Sequence, residues 1–117
     1  MDVVAYASRH PNIGETIHGD SFATALGGKG FNQAFAVRRA GADVVMLGNI
    51  GNDNFAQEFI TAFKETGIDG SHVGQSKELG TGIAHILVDS GAKSNSIVII
   101  PQASGLTDEK YIESNKI

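Results

Sequence analysis

At 117 residues, with 41% hydrophobic and 19% charged side chains, the chain is sized for one globular domain. A net charge of −4 with no Lys/Arg block argues against a nucleic-acid surface, and no apolar run is long enough to span a membrane. The absence of cysteine excludes disulfides and thiolate metal sites, while 15 glycines call for turns or for close backbone approach.

Residues 3–7, VVAYA, are apolar and β-leaning, and Pro11 and Gly14 break the run. The opening residues hold neither a basic n-region nor a long apolar core, so a soluble cytoplasmic protein is expected. ETIHGDSFATAL, residues 15–26, alternates weakly and predicts a pair of short strands around Gly19. A helix is predicted over residues 31–40, where Ala34, Val37 and Ala40 recur at helical spacing. Arg38 and Arg39 fall in its last turn and Gly41 follows. DVVMLGNI, residues 43–50, has the pattern of a buried strand. Asn52 or Asp53 can cap the next helix, NFAQEFITAFKET, which Gly67 ends. Its Phe55, Phe59 and Phe63 recur at i, i+4, i+8, which reads as core packing and not as a ligand box. TGIAHILVD and SIVIIP read as two further strands joined by the turn-rich SGAKSN. Helix and strand alternate in the first half, which suggests a parallel sheet.

The stretch ALGGKGFNQAFAVRRAG, residues 25–41, sets three glycines around Lys29 just before a helix. Such a turn offers free backbone N–H groups at the positive end of a helix dipole, suited to hydroxyls and anions. Two named motifs are excluded. A Walker phosphate loop needs Ser or Thr after the lysine, where Gly30 stands; the dinucleotide fingerprint needs a third glycine, where Gln33 stands. On local pattern alone, a simple turn with a helix cap explains the stretch as well as a binding loop does.

The longer constellation is more specific. Gly27-Gly28-Lys29-Gly30, Asn32 and Ala34, with Gly41 and Gly51 at set distances beyond, resembles the N-terminal signature of the ribokinase-like (PfkB) carbohydrate kinase family. Asp2, PNIGETIHG, GNIGNDNF and TGIAHILVD continue the resemblance in order, from residue 2 to about residue 107. It implies an α/β chain: part of a Rossmann-like three-layer α/β/α fold, residues 1–117 forming the N-terminal portion. A small lid of β-strands is expected at about residues 12–25 and 80–98. It also implies ATP-dependent phosphorylation of ribose or a related small sugar at its 5-hydroxyl, and a homodimer paired through the lid strands. The implied sugar-side residues are Asp2, Gly28, Lys29, Gly30, Phe31 and Asn32. Asp2 would accept from ring hydroxyls, Gly28 would admit close backbone approach, and Asn32 would donate and accept. Lys29 would lie toward the transferred phosphate. His10, His18, His72 and His85 lack metal-ligand spacing and read as surface or lid residues, so no metal ligand is assigned.

The departures are equally specific. The family's catalytic Asp lies in a G-A-G-D motif that is absent here; GAD at residues 41–43 lacks the second glycine and precedes a strand. No catalytic residue is therefore assigned. The sites for ATP, magnesium and a monovalent cation such as K⁺ are expected outside these residues. A catalytically inactive truncated paralogue that binds sugar or pairs is the alternative reading. The strand that precedes Asp2 in the family is missing, which should leave the strand at 43–50 with an open edge. Ala56 replaces a glycine, and Gln102 stands where the family has a glycine able to take positive φ.

Overall fold

A computed structural model describes residues 1–116. In chain order it contains β1 (Asp2–Ala7), β2 (Ser21–Ala25), α1 (Lys29–Arg39), β3 (Val45–Ile50), α2 (Asn54–Thr66) and β4 (Asp69–Gln75). Then follow β5 (Ile83–Asp89), β6 (Ser94–Ile100), a 3-10 turn over Gln102–Leu106, and α3 (Glu109–Ser114). The strands form a four-stranded sheet ordered β2-β1-β5-β6 and a two-stranded sheet β3-β4. The expected α/β class holds. Both β3-β4 and β1-β5 are parallel, whereas β1-β2 and β5-β6 are antiparallel.

The segment at residues 15–26 departs from expectation. Only Ser21–Ala25 is a strand, and its partner is β1; Asp20 N–H donating to the Tyr6 carbonyl starts the pairing. The 12–20 stretch is instead a loop shaped by a turn, in which Glu15 N–H donates to the Asn12 carbonyl and Arg9 holds Glu15 in a two-pronged ion pair. β4 had no signal in the sequence, because only Val73 in DGSHVGQ is a large apolar residue. It forms because α2 carries the chain back beside β3, the β-α-β return that parallel pairing requires.

Asp53 caps α2, its Oδ1 accepting from Ala56 N–H at 2.9 Å, and Gly67 ends the helix with φ of 72°. Phe59 and Phe63 are buried together with Phe31 of α1, and Phe55 is half-buried. The core also takes Met1, Ala34, Ile50, Ala56, Ala62 and Ile68. β3 has β4 on one side and no strand on the other among the described residues, the open edge expected for the strand at 43–50. Gln102 does adopt a left-handed backbone, φ 46°, with its side-chain Nε2 donating to the Thr81 carbonyl at 2.9 Å. The molecule is elongated, with extents of 48 × 33 × 22 Å.

Candidate functional site

Asp2 opens β1 and is held from both sides, paired with Ala25 of β2 and Ala84 of β5. β2 therefore delivers the chain to Asp2 just before it turns through Leu26, Gly27 and Gly28 into α1. Gly27 is buried, and a Cβ there would lie 2.4 Å from both carboxylate oxygens of Asp2. The carboxylate thus rests against the Gly27 backbone, an approach any side chain would block. Gly28 is the N-cap of α1 with φ of 91°, and the space its Cβ would occupy is open.

No side chain caps α1, and no acidic residue lies in its first turn. Its first N–H groups are left without an intrahelical partner at the positive end of its dipole, two residues along the chain from the contact of Gly27 with Asp2. Lys29, Gly30 and Asn32 are exposed on that turn. Within a few residues the loop therefore offers a fixed anionic acceptor, backbone donors and a cation, a set matched to hydroxyls and to a phosphate.

The model of pfkB family carbohydrate kinases matches residues 1–117. The chain belongs to that family. It is 38% identical over 104 residues to the ribokinase of Bacillus subtilis, covering 89% of this chain and 35% of that one. The fold is similar to the structure of ribokinase from Giardia lamblia, with a TM-score of 0.84 and 34% identity over 97% of this chain and 34% of that one. It is also similar to Arabidopsis thaliana ribokinase complexed with ribose and ATP, with a TM-score of 0.79 and 28% identity over 87% and 33% of the two chains. The chain thus spans about a third of the length of the relatives it matches.

One expected sugar-side residue of this pfkB-family chain is placed differently from the rest. The Phe31 ring points inward, 5.2 Å edge-on from Phe59 and 6.0 Å from Phe63, so only its backbone is available to the loop. It anchors the first turn of α1 to the core. Gly27 was legible as half of a Gly-Gly pair, but its contact with Asp2 required the strand register. The same register puts Ala84, Ile86 and Ile99 on the face of the four-stranded sheet that carries Asp2. Ile99 is 71% exposed there. Among the described residues no three His, Cys, Asp or Glu side chains converge as a metal cage.

Proposed function

We propose that the chain is the sugar-recognising part of a ribokinase-type enzyme that transfers the γ-phosphoryl group of ATP to the 5-hydroxyl of ribose or a closely related small sugar. The Asp2 carboxylate seated against Gly27, beside the uncapped start of α1, carries this reading. An ionised carboxylate can accept from two ring hydroxyls at once, and the backbone of Gly28 can approach the ring where a side chain would intervene. Asn32 supplies a donor and an acceptor, and Lys29 offsets charge on the phosphate side. The four-stranded sheet serves as the lid, its Ala84, Ile86 and Ile99 giving the ring an apolar cover. A second copy pairs through the bare end of that sheet. Nucleotide, magnesium and K⁺ are held by parts of a complete kinase that these residues do not supply, and the enzyme works in the cytoplasm, where ATP is available.

A nitrogen–proton correlation titration of the 117-residue chain with ribose tests the reading. Shifts should concentrate at Asp2 and at residues 27–32 and should vanish in Asp2→Asn. Saturable shifts centred elsewhere, or none at all, would overturn it. The same chain should release no ADP from ATP and ribose above background, since a missing base alone costs about 10²–10⁴-fold.

A further inference from the structure

The four-stranded sheet leaves the α/β layer at Thr81, just before β5, and the chain re-enters that layer at Pro101, just after β6. The departing chain is tied to one carboxylate, and the returning chain is tied to the departing one. Asp53 Oδ2 accepts from Thr81 N–H at 2.7 Å, and Asp53 Oδ1 accepts from the Thr81 hydroxyl at 2.7 Å. That hydroxyl in turn accepts from Gly51 N–H at 3.1 Å. Gln102 donates to the Thr81 carbonyl, and Ala103 N–H donates to the Gly80 carbonyl at 3.0 Å, which binds the returning chain to the departing one. The backbones are nearly in contact, because a Cβ on Gly51 would lie 2.4 Å from Thr81 N. Thr81 is only 2% exposed, whereas Asp53 keeps an exposed outer side.

A residue that served only as the cap of α2 would need no more than the bond from Ala56. The two bonds from Thr81 add nothing to the helix. They fix the start of β5, three residues before Ala84, which is the register partner of Asp2. Ala84 N–H also donates to the Met1 carbonyl at 2.9 Å, closing the path to β1. We propose that Asp53 is a positioning residue: through Thr81 it locks the joint between the four-stranded sheet and the α/β layer, and so holds Asp2 over the glycine loop. This rests on the reading of Asp2 as the sugar's acceptor, but the joint itself can be tested without sugar.

Native-state amide exchange of the 117-residue chain is the test, comparing wild type with Asp53→Asn, Thr81→Val and Thr81→Ser. Thr81→Val leaves the α2 cap intact, and so decides the matter if Asp53→Asn fails to fold. The expected result is exchange faster by about tenfold at Thr81, Ala84 and the β1 amides in Thr81→Val, with α2 amides at Ile60 to Phe63 little changed and Thr81→Ser near wild type. Asp53→Asn should show the same pattern with added loss in the first turn of α2. Acceleration confined to Ala56 and Gln57 in Asp53→Asn, or spread evenly over the chain in Thr81→Val, would overturn the proposal. Because no sugar is present, a failed ribose titration would leave this result standing.

Discussion

At the scale of single residues, two adjacent glycines have different reasons to be glycine. Gly27 is fixed by what it touches, the Asp2 carboxylate; Gly28 is fixed by its own backbone, with open space where a side chain would go. Gly27→Ala should therefore push Asp2 aside and abolish its ribose-induced shift. Gly28→Ala should raise backbone strain, by about 1–3 kcal/mol, and put a Cβ in the open space assigned to the ring, weakening the ribose-induced shifts while leaving the Asp2 side chain where it is. Thermal melts paired with spectra taken without sugar separate the two, and an Asp2 resonance displaced in sugar-free Gly28→Ala but not in Gly27→Ala would contradict the assignment. Gln102 offers a second case. Its left-handed φ costs about 1 kcal/mol or more, against a bond to the Thr81 carbonyl that returns about 0.5–1.5 kcal/mol. Gln102→Gly should then leave stability within about 1 kcal/mol of wild type, while Gln102→Ala, which keeps the strain and loses the bond, should be clearly weaker in urea. The cost of a left-handed residue at this position was legible in the sequence. The compensating side-chain bond was not, since Thr81 lies 21 residues away in sequence.

At the scale of elements, local signals identified those that carry their own start and stop codes. α1 and α2 announce themselves by periodicity, by Asp53 at one end and by Gly67 at the other. β4 does not, because its place comes from the return of α2 to β3 and owes little to its own side chains. The pair of strands expected around Gly19 failed for a related reason: the exposed Ser21–Ala25 segment found a better partner in β1, and the loop before it is shaped by Arg9 and Glu15. The cap of α2 yields a prediction at this scale. Partial desolvation alone would raise the Asp53 carboxyl, but bonds from the Thr81 hydroxyl, Thr81 N–H and Ala56 N–H outweigh it and set it below the usual carboxylate value. A carboxyl lowered in the folded state contributes stability that is complete above its unfolded value of about 3.9 and is lost as pH falls through the folded one. Urea midpoints followed from neutral pH down through the carboxylate range should thus fall less steeply at the acid end in Asp53→Asn than in wild type. At neutral pH, Asp53→Ala should cost about 1–3 kcal/mol through the lost cap and the buried donors left on Thr81. Equal acid slopes in wild type and Asp53→Asn would contradict the assigned shift.

At the scale of the whole molecule, the chain exposes more surface than a protein of its mass should. Its accessible area is 7757 Å², against about 6,100 Å² expected for a folded monomer of 12.2 kDa. Its radius of gyration is 16.4 Å, against about 13.4 Å for a compact domain of this length. The excess is apolar where it matters. Both faces of β6 are bare, Ile97 and Ile99 on one and Val98 and Ile100 on the other, and the second edge of β3 has no strand partner among the described residues. Unpaired edges and uncovered apolar faces are templates for another chain, and among the described residues no large side chain is fully buried to secure the core against that pull. The isolated chain should therefore self-associate in a concentration-dependent way, as read by size-exclusion chromatography with light scattering. Single lysines then locate the contact. If Ile97→Lys or Val98→Lys restores the monomer, the four-stranded sheet is the pairing surface and the substituted residue names the face. If neither does so while Val45→Lys, at the start of β3, succeeds, the open edge is the route. A monodisperse 12.2 kDa species that melts cooperatively above about 60 °C would defeat the prediction, because it would show that the surface left bare costs the fold nothing.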